Sequence, residues 1–199
     1  MSRSHLIVAV FGLLTLASPA SATPIFSDNF NTENGGAGVL NYNNFANWNV
    51  TNGTVDLIGN GFFDFYPGNG LYVDLDGSTG QAGFFSTKTT FAPGTYVLSI
   101  FLGGSQRGDT NSVTVTLGNY TETFIRQSGH PLAQVTRTIT TTGGPLTFKN
   151  AGGDDVGAIL DNVVLDAAAS VPEPASLALL GGMMAVGALG LRRRNPAKA

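Results

Sequence analysis

Asp161 interrupts an apolar run, with Ala158-Ile159-Leu160 before it and Val163-Val164-Leu165 after it. A buried carboxylate without partners is costly, so this position calls for hydrogen-bond donors or a cation. A second acidic element, Asp154-Asp155, has the functional groups of a glycosidase acid pair. Neighbouring residues of an extended chain point to opposite faces, however, and the flanking Gly152-Gly153 reads as a turn. Between residues 23 and 170 the single histidine is His130, next to Pro131, and one imidazole cannot build a multi-histidine zinc centre. No Gly-x-Ser-x-Gly elbow, P-loop or dinucleotide-binding glycine pattern occurs. The chain has no cysteine, which excludes disulfides, thiolate nucleophiles and Cys-ligated metals. The expectation is a protein that is not an enzyme. Carboxylates paired from distant parts of the sequence keep a secreted glycoside-acting hydrolase as the catalytic alternative.

Two loops carry groups suited to binding. Gly61–Gly68 sets Phe62, Phe63, Phe65 and Tyr66 beside turn residues, and a sugar ring can stack on an aromatic face. Gly103–Asn111 is glycine-rich and holds Gln106, Arg107, Asp109 and Asn111, which donate to and accept from hydroxyls. Phe62, Tyr66, Gln106, Arg107, Asp109 and Asn111 are therefore the candidate ligand residues. The plainer reading puts Phe63, Phe65, Tyr72 and Trp48 in the core and makes the second loop a long hairpin in which Arg107 pairs with Asp109. Asp74-Leu75-Asp76-Gly77-Ser78 matches part of a calcium loop but lacks the acid at the twelfth position. It reads as a strand end entering an Asp-Gly turn.

The elements that must position these groups are strands. Short β-type runs recur about every ten residues between Gly, Asn, Asp and Thr clusters, and no window shows helical periodicity. Strands are expected at 26–30, 48–50, 54–58, 71–75, 83–87, 94–102, 112–117, 121–127, 134–140, 146–149 and 158–165. Val113, Val115 and Leu117 alternate with Ser112, Thr114 and Thr116, and Tyr96, Leu98, Ile100 and Leu102 form a second inward row. This number of strands in one domain points to an all-β, two-sheet jelly-roll sandwich. Residues 23–170 hold five bases against twelve acids, a net charge of −7. That surface argues against nucleic acid and anionic lipid and suits divalent cations or neutral glycans.

Both ends read as targeting segments. Residues 1–22 combine a basic start (Arg3), an apolar centre and an Ala20-Ser21-Ala22 cut site, the pattern of a signal peptide removed by signal peptidase. Residues 171–199 hold Pro172-Glu173-Pro174, an apolar run at 175–191 and the basic stop Arg192-Arg193-Arg194. As a helix, 175–191 is about 25 Å long, short of the roughly 30 Å hydrocarbon core, and the arginines favour the cytoplasmic side. Read by itself, this is a C-terminal single-pass anchor or a temporary hold in the membrane. The order of parts resembles the PEP-CTERM sorting tail of Gram-negative bacteria. The resemblance implies sorting by an exosortase at Pro172, Glu173 and Pro174, through an inner-membrane intermediate, to the cell surface or extracellular matrix.

The domain between, 23–170, resembles a galactose-binding-like jelly roll related to carbohydrate-binding modules. The resemblance rests on Asp28-Asn29-Phe30, Phe45-Ala46-Asn47-Trp48-Asn49-Val50, Gly53–Gly59, Gly70–Gly77, Gly94-Thr95-Tyr96 and Leu160-Asp161-Asn162-Val163. It implies a structural Ca²⁺ held by Asp161 with Asp28 and Glu33, helped by Asn31 or backbone oxygens. Without a metal, Asp161 would accept hydrogen bonds from backbone amides of the first strand. The resemblance of the tail to PEP-CTERM systems, which as a family are associated with exopolysaccharide production, implies by analogy a polysaccharide as the partner. The alternative is an envelope structural or adhesive protein with no specific glycan site.

Overall fold

The computed structural model describes residues 24–168. The expected signal peptide, the sorting motif and the 175–191 membrane segment lie outside the described residues. Among the described residues no helix is long and apolar enough to cross a membrane.

Alternating apolar and polar residues give eleven strands: β1 (Phe26–Asp28), β2 (Trp48–Thr51), β3 (Asp56–Gly59), β4 (Leu71–Asp74), β5 (Phe84–Thr87), β6 (Gly94–Gly103), β7 (Thr110–Leu117), β8 (Tyr120–Gln127), β9 (Ala133–Thr141), β10 (Leu146–Asn150) and β11 (Ile159–Ala167). Each expected strand is present with its ends shifted by at most two residues. β1 stops early because Phe30 turns into the left-handed region (φ 58). Its N–H is caught by Asp28 Oδ1 at 2.9 Å, a local turn that competes with strand extension.

The strands form two antiparallel sheets, and the fold is a jelly-roll sandwich. One sheet runs β3-β4-β11-β6-β9, with β1 also paired to β11; the other runs β2-β5-β10-β7-β8. β4 bonds β11 at Ile159 and Leu160, whereas β1 bonds it at Val163 to Leu165. The first strand thus continues the edge that β4 leaves. Between these stretches the β11–β6 register shifts at Asp161 to Val164, and Asn162 adopts φ 45. The irregularity behaves as a β-bulge that re-aims Asp161 and Asn162.

The core lies between the sheets. Trp48, Phe30, Phe45, Phe85 and Phe148 fill one part, and the rows Leu98-Ile100-Leu102 and Val113-Val115-Leu117 fill the rest. Burying each of these side chains contributes roughly 1.5–3 kcal/mol. A second apolar layer covers the outside of the six-stranded sheet, where Ile58, Tyr72 and Ile159 meet Phe65, Tyr66 and Leu132. The outward residues of the five-stranded sheet are exposed or half-buried. That apolar layer covers the β3-β4 side of the six-stranded sheet, while Gln134, Thr136, Thr138 and Thr140 on β9 stay exposed, as do outward residues of the five-stranded sheet.

Candidate functional site

The bulge places Asp161 inside the protein, 1% exposed. Its Oδ1 accepts the Asn162 N–H at 2.7 Å and its Oδ2 the Asn162 side-chain amide at 3.2 Å. These donors come from its own neighbour, not from the first strand. Burial pushes the carboxyl up to about 7, against the pull of the Asn162 N–H, and the charge of Asp28 adds to the rise. Asp28 is better supplied: Phe30 N–H reaches its Oδ1, while Asn47 Nδ2 and Trp48 Nε1 reach its Oδ2, all at 2.9 Å. Glu33, 7% exposed, faces the Ala46 N–H at 2.8 and 3.1 Å with its two oxygens. Burial raises its pKa, and the Ala46 N–H works against that rise.

A cleft of about 360 Å³ opens here, lined by Ser27, Asp28, Asn29, Thr32, Asn47, Asn162 and Val164. Its lining is rich in oxygen atoms, the ligand type that Ca²⁺ takes. Among the described residues no three acidic or imidazole side chains gather closely enough to hold a metal. Of the three expected calcium ligands only Asp28 lines the cleft, with neutral amide and hydroxyl side chains around it; Asp161 lies buried behind the lining, within electrostatic reach of Asp28. Glu33 is already engaged with the chain at Ala46.

The candidate residues of the two loops hold the loops to each other. The Tyr66 hydroxyl lies 2.7 Å from both Gly104 O and His130 O, and it accepts from Gln106 Nε2 at 2.7 Å. Gln106 also donates to Ser128 O at 2.8 Å. Gly104 is required at its position, since a Cβ there would stand 2.1 Å from Gln127 O and 2.2 Å from Ser128 O. Arg107 does not pair with Asp109. Its Nη2 binds Asp74 and its Nη1 donates to Asp155 O at 2.8 Å, while its guanidinium lies 5.2 Å from the Phe65 ring centroid. Burial pushes Asp74 up to about 7 even with Arg107 pulling it down.

Asp109 accepts from Ser105 and Asn111, and Asn111 is buried. Of the six, Phe62, Gln106 and Arg107 are exposed, Phe62 standing edge-on to Phe63 with centroids 4.9 Å apart. Phe63 is 54% exposed and so is not core, whereas Trp48 and Tyr72 are fully buried. The recess beside Arg107 measures about 40 Å³. That is room for about one water at ~30 Å³, not for a sugar ring.

The outer face of the five-stranded sheet is a further candidate surface. Strand register aligns Thr51, Phe84, Lys149, Thr114 and Thr123 in one row across all five strands. The next row is Asn49, Ser86, Thr147, Thr116 and Thr121. Neighbouring hydroxyls bond along the rows, Ser86 to Thr147 at 2.8 Å and Thr114 to Thr123 at 3.2 Å. Neither row contains a carboxylate, although the domain is acidic. Phe84 is 40% exposed, with Lys149 Nζ 4.9 Å from its ring centroid. Flat spacing of hydroxyls around one aromatic ring can exchange hydrogen bonds with a polyol and stack one sugar face. The alternation of Ser112, Thr114 and Thr116 already points these residues outward. Their alignment with Phe84 and Thr51 depends on sheet order, which sequence spacing does not carry.

No protein-family model matches the chain, and no curated protein matches it. Among solved structures, the K3 cleaved adhesin domain of Lys-gingipain from Porphyromonas gingivalis is similar with a TM-score of 0.52 at 15% identity, covering 74% of this chain and 100% of that one. The K1 cleaved adhesin domain of the same protein matches with a TM-score of 0.51 at 15% identity, over 72% of this chain and 98% of that one. The carbohydrate-binding module TmCBM61, in complex with β-1,4-galactotriose, matches at 0.42 and 16% identity, over 62% and 90%. At such identities the likeness is one of fold: this chain is a two-sheet sandwich similar to the gingipain adhesin domains.

Proposed function

We propose that this protein is an exported, non-catalytic domain that binds neutral polysaccharide through the outer face of its five-stranded sheet. The observation that carries the reading is the pair of cross-strand rows, rich in hydroxyls and free of carboxylates, around the exposed ring of Phe84. An acidic domain that keeps one face free of acid is suited to an uncharged polyol and unsuited to a cationic partner. The adhesin domains that share the fold are in keeping with a role in attachment. A structural Ca²⁺ in the cleft of Asp28 and Asp161 would tie the first strand to the last. Signal peptidase and an exosortase acting at residues 172–174 would deliver the domain to the surface or matrix of a Gram-negative cell.

The deciding experiment is binding of the full-length protein to a panel of neutral glycans and to the producing cell's extracellular polysaccharide. Saturable binding that Phe84→Ala weakens at least tenfold is the expected result. Folded protein that binds no polymer would falsify the glycan reading and leave an envelope structural protein.

A further inference from the structure

Three crossovers between the sheets meet at one end of the sandwich. Asp74, Ile159 and Gly103 share one row of the six-stranded sheet. The segments 75–83, 104–109 and 151–158 therefore leave that sheet side by side, each linking it to the other sheet. Two fully buried side chains there have an unpartnered oxygen, Asp76 Oδ1 and Asn150 Oδ1. A buried acceptor without a partner is destabilising, and more so when it is charged.

The surrounding bonds hold both side chains at the 150–154 segment, where the backbone of Gly153 and of Asp154 bears on the Asp76 carboxylate. Asp76 Oδ2 accepts the Gly153 N–H at 3.0 Å, so its carboxylate sits on the turn that begins at Asn150. Asn150 Nδ2 donates to Asn111 Oδ1 at 2.9 Å. Asn111 Nδ2 in turn donates to Asp109, as does the Ser105 hydroxyl. Each of these donors is engaged. The nearby cations are engaged too: Lys149 Nζ donates to Ala82 O, and Arg107 binds Asp74 and Asp155 O. Asp154 and Asp155 stand within electrostatic reach of Asp76, and Lys149 is the one cation that acts on it there among the described residues, so acid outnumbers base around this carboxylate.

We propose that Asp76 and Asn150 hold a divalent cation of the Ca²⁺ type, at a site separate from the cleft of Asp28 and Asp161. Carboxylate and amide oxygens with backbone carbonyls are the ligands this ion accepts, six to eight of them in flexible geometry. Asp109 connects to Asn150 only through Asn111, and both of its oxygens already accept hydrogen bonds. The Asp74–Ser78 segment lacks the twelfth-position acid of a continuous calcium loop, and here Asn150 from β10 takes its place. Bound there, the ion would clamp the crossovers 75–83 and 151–158 together. A single water donating to both oxygens is the competing occupant.

The test is equilibrium dialysis of chelator-stripped, full-length protein in detergent against CaCl₂, followed by metal analysis and thermal melts. Asp76→Asn should lower the bound calcium by one ion per chain and shrink the calcium-induced rise in Tm. Asp161→Asn should remove a different ion and leave this one. Asn150→Asp, which adds a charge to the ligand set, should tighten calcium binding roughly tenfold, and this variant decides the matter if Asp76→Asn does not fold. Unchanged calcium content in Asp76→Asn, or no tightening in a folded Asn150→Asp, overturns the proposal in favour of a bridging water. Loss of the ion in Asp76→Asn with no change in Asp161→Asn keeps this site and removes the other.

Discussion

Trp48 donates its indole N–H to Asp28 Oδ2 at 2.9 Å, which ties the largest core side chain to the carboxylate of the first strand. The same ring stacks on Phe85 at 4.4 Å with a 10° interplanar angle and meets Phe26 edge-on at 5.4 Å. Core packing therefore sets where Asp28 stands in its cleft.

Trp48→Phe keeps much of the packing and removes this donor. It should cost about 2–4 kcal/mol in urea unfolding, combining a lost hydrogen bond to a charged group with a partly filled cavity. It should also weaken any calcium dependence that arises at Asp28. Trp48→Ala, with a larger cavity, should cost more.

Phe84→Ala acts on the open face. Because Phe84 is substantially exposed, stability should change by less than about 1 kcal/mol, while glycan affinity falls at least tenfold. Affinity electrophoresis alongside a melting curve separates the two effects. Equal loss of binding and of stability would count against Phe84 as a contact residue.

Asp74 and Asp161 are both pushed up to about 7 by burial. Aspartates in the unfolded chain titrate near ~3.9, so between about pH 4 and 7 the folded state binds more protons than the unfolded one. In EDTA, stability should rise on acidification from about pH 7.5 to pH 5 and fall as pH climbs back through 7. Glu122, whose pKa Arg137 lowers, works in the opposite sense only below its ordinary value of 4.5. Saturating calcium should flatten the trend by stabilising ionised Asp161.

Arg107→Gln leaves the buried Asp74 carboxylate without its cation. The expected cost is about 1–2 kcal/mol near pH 7.5, because a carboxyl already pushed up to about 7 takes a proton rather than stay ionised and unpaired, which leaves mainly the lost hydrogen bonds. The cost should be smaller near pH 5, where Asp74 is protonated. Guanidinium titrations at the two pH values read the difference, and equal costs at both would refute the pairing as the cause.

Strand positions and inward rows were legible in the sequence because a two-residue period survives in any sheet. Val113, Val115 and Leu117 announce their face without knowledge of their neighbours. Partners across loops were not legible in this way. Arg107 has Asp109 two residues away, yet it pairs with Asp74, 33 residues earlier. Register puts Asp74 and Gly103 on one row, and register is a property of the assembled sheet. Tyr66 and Gln106 carry the atoms of a sugar site, but those atoms meet backbone carbonyls of other loops. Asp161 was the most informative single residue: a carboxylate inside an apolar run flags itself, though its donor proved to be the adjacent Asn162.

The placement of β11 has a mechanical consequence. It lies inside the six-stranded sheet, bonded to β6 on one side and to β4 and then β1 on the other. A pull transmitted from the residues after Ala167 runs along that strand and loads the ladders on both sides in shear. Many hydrogen bonds must then yield together, whereas an edge strand would unzip one bond at a time. Load entering the domain through Ala167 would therefore meet resistance shared across the sheet rather than concentrated at one edge.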